Sequence, residues 1–168
     1  LFSGDPDETY VLKWTITNAC GFTEDEVTIR FDAPPSVADA GPIEIEQCDN
    51  STFSITAVDP AVGTGTWMKV SGPGTISNAN SFATTVTGVT AGSSTVLRWT
   101  VANGACPSNT DDVTLTNHVL PTPTLSSDDM DNTICVGESV TFTAGGGTNY
   151  EFFVNGISQQ PYGADNTY

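Results

Sequence analysis

Basic side chains are scarce: 4 Lys and Arg stand against 20 Asp and Glu, leaving a net charge of −16. A surface of that sign repels phosphate backbones and anionic headgroups, which argues against nucleic-acid binding and electrostatic membrane attachment. No apolar run approaches the roughly 20 residues that cross a bilayer, so this segment is not expected to span a membrane. The chain opens on Leu1 rather than Met, close before a strand pattern and without a signal peptide, as expected of a piece of a longer protein. One His and 4 Cys with no Cys-x-x-Cys pair make a poor zinc-ligand set. Helix-forming windows rich in Leu, Lys and Glu are missing too. Thr, Val, Ser, Asn and Gly dominate instead, which is an all-β composition.

What the chain does have is an internal repeat. Val11-Leu12-Lys13-Trp14-Thr15-Ile16-Thr17-Asn18, then Cys20 and Asp25-Glu26-Val27-Thr28-Ile29, reappears as Val96-Leu97-Arg98-Trp99-Thr100-Val101-Ala102-Asn103, then Cys106 and Asp111-Asp112-Val113-Thr114-Leu115. Val113 follows Val27 by 86 residues (113 − 27), a period that suits a small β-sandwich module. Each copy alternates apolar and polar residues at period two, the pattern of a strand with one buried face.

In chain order, strands are expected at 10–18 and 26–31, then at 43–47, 52–58, 65–71, 74–77, 81–88, 95–103 and 111–117. Turn-forming pairs such as Asp59-Pro60 and Asn103-Gly104 separate them. Ala33-Pro34-Pro35 and Leu120-Pro121-Thr122-Pro123-Thr124 read as linkers, because proline is excluded from central strands and stiffens a connection. The expected organisation is therefore the end of one module at 1–33, a complete module at 36–118, and the start of another at 121–168. In the last, a strand is expected at 137–144 and a hairpin at 150–154 through the Asn155-Gly156 turn. Seven short strands between turn signals are the signature of an immunoglobulin-like sandwich. Phe53, Ile55, Trp67, Val86, Leu97, Trp99, Val101, Val113 and Leu115 are its expected core.

If each module carries one bridge from an early strand to the loop after its Trp strand, Cys48 pairs with Cys106. Cys20 and Cys135 would then have partners outside this segment. Closing so long a loop would stabilise the module by about 4 kcal/mol and would imply an oxidising setting, extracellular or periplasmic. The competing reading is four free buried thiols.

The motifs at 37–42 (Val-Ala-Asp-Ala-Gly-Pro), 63–67 (Gly-Thr-Gly-Thr-Trp), 70–76 (Val-Ser-Gly-Pro-Gly-Thr-Ile) and 97–107 (Leu-Arg-Trp-Thr-Val-Ala-Asn-Gly-Ala-Cys-Pro) resemble the tandem repeats of giant Bacteroidetes cell-surface adhesins, including those of gliding motility. The stretches at 134–144 and 150–156 resemble a second repeat type of the same proteins. The likeness covers nearly the whole chain. It implies tandem immunoglobulin-like repeats, no catalysis, export by the type IX secretion route and a place on the bacterial cell surface. The partners it implies are neighbouring repeats, motility or secretion machinery, and an external surface or polysaccharide held by other parts of the protein.

Each candidate site competes with a plainer role. His118 lies beside a linker without a nucleophile pattern around it. The acids Glu24-Asp25-Glu26 and Asp111-Asp112 occupy equivalent repeat positions, but neighbours along a strand point to opposite faces, whereas glycoside chemistry needs two carboxylates across a cleft. Asp128, Asp129, Asp131 and Asn132 offer oxygens for a hard cation such as Ca²⁺, although the Gly and bidentate Glu of an EF-hand loop are absent. An acidic turn is the plainer reading. Trp14 and Trp99 share apolar strand faces with Leu12, Ile16, Leu97 and Val101, which favours core packing over sugar stacking. A non-catalytic carbohydrate-binding module of a secreted enzyme is the rival to a stalk segment.

Overall fold

Strands account for every one of the 13 regular elements in the computed structural model, which describes residues 1–168. No helix is long and apolar enough to cross a membrane. The chain divides into two compact units, Leu1–Val119 and Leu120–Tyr168.

The first unit opens with a hairpin of β1 (Thr9–Asn18) and β2 (Gly21–Arg30), paired antiparallel along their whole length. β2 starts five residues before the expected position 26, because the hairpin zips up to a two-residue turn at Ala19-Cys20. The sandwich follows. Its strands are β3 (Glu44–Cys48), β4 (Thr52–Thr56), β5 (Thr64–Ser71), β6 (Thr75–Ile76), β7 (Ala83–Thr87), β8 (Ser93–Ala102) and β9 (Asn109–His118). One sheet runs β3-β9-β8-β5, with β3 parallel to β9, and the other runs β4-β7-β6. Seven strands split in this way between two sheets form the immunoglobulin-like β-sandwich that the turn spacing predicts.

Inward alternation on both sheets builds the core, and all nine expected core residues are buried in it, joined by Ala38, Ala40, Ala57 and Val89. Gly65 is there because nothing larger fits: a Cβ at this position would lie 1.8 Å from Cζ2 of Trp99. Trp67 meets Trp99 with ring centroids 5.0 Å apart.

The sandwich is not covalently stapled. Cys48 ends β3 opposite His118, the last residue of β9, whereas Cys106 precedes Asn109, the first. The ten residues of β9 separate them by about 30 Å, far beyond the roughly 7 Å between Cα atoms that a disulfide tolerates. All four cysteines are free thiols, so the expected Cys48–Cys106 bridge is overturned. The alternative of buried thiols fails as well, since Cys20, Cys48 and Cys135 are exposed and Cys106 is half-buried. Parallel addition of β3 to the far edge of β9 is what the bridge expectation missed.

In the second unit β10 (Thr124–Ser127) pairs with β11 (Phe142–Gly145), and β12 (Tyr150–Val154) with β13 (Ile157–Gly163). Asn155 and Gly156 both take positive φ, 51° and 81°, in the expected two-residue turn. The strand expected from 137 starts only at Phe142, because the Asp128 carboxylate takes the amide of Thr141 and a turn occupies 136–137. Phe152 is buried against Tyr168, whose backbone exchanges two hydrogen bonds with Phe142.

Candidate functional site

The linker that follows β2 is held by hydrogen bonds. The Asp32 carboxylate accepts from the Ala105 amide at 2.8 Å and pairs with Arg30 Nε at 2.9 Å. Its backbone carbonyl accepts from the Cys106 thiol at 3.3 Å. Asn103 Nδ2 donates to the Ala33 carbonyl at 2.9 Å, and Asn109 Nδ2 to that of Pro35 at 3.5 Å. Gly104, at φ 52°, lets the loop lie directly on the carboxylate, where a Cβ would sit 1.9 Å from Asp32 Oδ2. Charge, hydrogen bonding and close approach thus converge on one side chain that is 14% exposed, and they fasten the end of the hairpin to the tip of the β8–β9 loop. Sequence reading placed a stiff proline joint at 33–35 but missed Asp32, which is only one more acid among 20 until the loop is seen above it.

The hairpin copies the last two strands of the sandwich in register as well as in sequence. Leu12 faces Val27 as Leu97 faces Val113, and Trp14 faces Asp25 as Trp99 faces Asp111. Lys13 opposes Glu26 and lies against Glu24, matching Arg98 opposite Asp112. Burial differs. Trp14, Ile16 and Val27 are 69%, 60% and 54% exposed, while Trp99 is 1% exposed and Val101 and Val113 are buried. Trp14, which the strand pattern assigns to a core, is exposed on the hairpin instead.

The paired acids divide as strand alternation requires. Asp111 accepts from the Ala40 amide at 2.8 Å, and Asp112 takes both Arg98 Nε and Nη2 at 2.8 Å on the outer face. That two-pronged hydrogen bond holds the Asp112 carboxyl below its ordinary value and raises Arg98 in turn. His118 Nε2 lies 3.6 Å from Glu46 Oε1, and both side chains are half-exposed.

The acidic loop does not gather into a cation cage. Asp128 Oδ1 accepts from the Thr141 amide at 2.8 Å. Asp129 and Asp131 share the Thr133 amide, at 2.8 and 3.0 Å, and Asn132 Oδ1 accepts from the Ser127 hydroxyl at 2.8 Å. No group of three or more His, Cys, Asp or Glu side chains converges there or elsewhere. As placed, these residues fold a turn through their own hydrogen bonds.

Among solved structures, the PKD domain from the KIAA 1837 protein is similar, with a TM-score of 0.43 and 26% identity over 52% of this chain and 92% of that one. A nucleoside hydrolase-related hypothetical protein from Saccharophagus degradans, described as associated with carbohydrate metabolism, gives a TM-score of 0.39 at 17% identity over 54% of this chain and 26% of that one. No family model and no curated protein matches the chain.

Proposed function

We propose that this chain is a spacer segment of a large cell-surface adhesin, in which immunoglobulin-like repeats in tandem carry a binding end away from the cell for gliding or surface attachment. The observation that carries the reading is the register-true repeat of β1–β2 in β8–β9, with Asp32 fastening one copy to the next. Repeats linked end to end make a stalk whose length scales with copy number. A net charge of −16 keeps neighbouring stalks apart. The motifs resembling Bacteroidetes adhesin repeats supply the expectation of export, surface display and motility partners. Antibodies raised against the 1–168 chain should label intact cells of the source organism, and deletion of the region should impair attachment or gliding. Labelling only after lysis would overturn the proposal.

The carbohydrate-binding alternative needs an exposed aromatic platform. The complete module buries both Trp67 and Trp99, and Trp14 stands on a face whose counterpart is core. A glycan array with the whole chain tests that alternative directly.

A further inference from the structure

Two Asn-Gly pairs occur in the chain, Asn103-Gly104 and Asn155-Gly156. In such a pair the asparagine amide is chemically labile, because a glycine nitrogen has no side chain beside it to hinder attack on the neighbouring Cγ. The surroundings of the two pairs differ. Asn155 and Gly156 are exposed at the β12–β13 turn, where a Cβ on Gly156 would meet nothing within 4 Å. Asn103 is half-buried just after β8, with its Nδ2 tied to the Ala33 carbonyl. Gly104 lies against the Asp32 carboxylate, which also holds the Ala105 amide. The hairpin copy of this loop reads Asn18-Ala19-Cys20, so the glycine against Asp32 belongs to the sandwich copy alone.

We propose that Asn103 is a modification site guarded by Asp32, and that its conversion to an acid releases the joint irreversibly. The Gly104 amide nitrogen gives up its proton to solvent and attacks Cγ of Asn103. The new C–N bond closes a succinimide ring, the Cγ–Nδ2 bond breaks, and ammonia leaves with a proton taken from water. Water then opens the ring at either carbonyl, leaving aspartate or isoaspartate at position 103. No oxidant, reductant or cofactor enters. Asp32 opposes the first step twice: it fixes the loop in which Nδ2 is bonded to Ala33, and its negative charge disfavours an amide anion forming against it. The step therefore waits on local opening of the loop. Once it has happened, the side chain at 103 offers only acceptor oxygens to the Ala33 carbonyl and adds negative charge to a loop that lies against Asp32. The inference needs the Asp32 joint but not surface display, so it and the adhesin reading fail separately.

The test incubates the 1–168 chain in mildly alkaline buffer, folded and in urea, with mass mapping of the peptides that hold positions 103 and 155. Conversion at Asn103 is expected to be at least about tenfold slower in the folded chain than in urea. Asp32→Ala should remove most of that protection while conversion at Asn155 keeps its rate, and slow hydrogen exchange along β8 and β9 shows that the variant is folded. Equal rates at Asn103 in the folded and urea-unfolded chain would overturn the proposal, and so would protection that survives Asp32→Ala. The product has its own test. Asn103→Asp should speed hydrogen exchange at the Ala105 amide by at least about tenfold with β8 and β9 unaffected. Unchanged exchange there would show that the joint tolerates the acid and would overturn the release.

Discussion

At the scale of single residues, the sandwich depends on a few polar side chains in apolar positions. Asn117 follows Val113 and Leu115 at period two, so its side chain points inward, and it is 1% exposed. Its Nδ2 donates to the Val89 carbonyl at 2.7 Å, and its Oδ1 accepts from the Asn50 amide at 3.2 Å. One side chain therefore ties two loops to the end of β9. Asn117→Ala strands both backbone groups and should cost roughly 2–4 kcal/mol, read as a lower urea midpoint at unchanged slope. Asp112 gives a pH-dependent counterpart. Its folded-state pKa is depressed by Arg98, so its contribution is present above the ordinary carboxylate value of about 3.9 and is lost as pH falls through the lowered value. Arg98→Gln should therefore lower stability near neutral pH and flatten the acid limb of a stability profile taken between about pH 6 and about pH 2. The change will be small, since the side chains of both partners are more than a third exposed. The apolar core was legible in the sequence because alternation names its members. Asn117 was not, since alternation reports which way a side chain points and is silent on what a buried amide will bond.

At the scale of elements, strand positions followed from turn chemistry and period, and the misses share a cause. β2 and β11 depart from expectation where a turn or a side chain, rather than the strand pattern, sets the end of pairing. The parallel pairing of β3 with β9 joins segments some 70 residues apart, as in Ile45 with Leu115, and nothing local encodes it. That pairing decides where Cys48 lies, and the disulfide expectation failed with it. The Asp32 joint belongs to this scale too, since it appears only when the loop of one copy meets the tail of the other. Asp32→Ala should speed hydrogen exchange at the Ala105 amide by at least about tenfold while lowering the unfolding free energy of the sandwich by less than about 1 kcal/mol. Unchanged exchange at Ala105 would mean that the joint is held by Asn103 and the prolines alone.

For the whole molecule the free thiols give the first prediction. A stapled sandwich would lose about 4 kcal/mol on reduction, whereas this one should show the same thermal midpoint with and without reductant. A shift of several degrees would restore a bridge that the β3–β9 pairing denies. The acidic excess gives the second. With 20 carboxylates against 4 basic side chains, the folded state is strained by self-repulsion, so raising ionic strength should raise the midpoint. One side-chain oxygen each of Asp128, Asp129, Asp131 and Asn132 is engaged by its own loop, so calcium is expected to act only through that general effect. Midpoints measured in millimolar Ca²⁺ and in chelator should therefore coincide to within about 1 °C once ionic strength is matched. A saturable calcium shift beyond the salt effect, abolished by Asp129→Asn, would require the turn to open and rearrange around the ion.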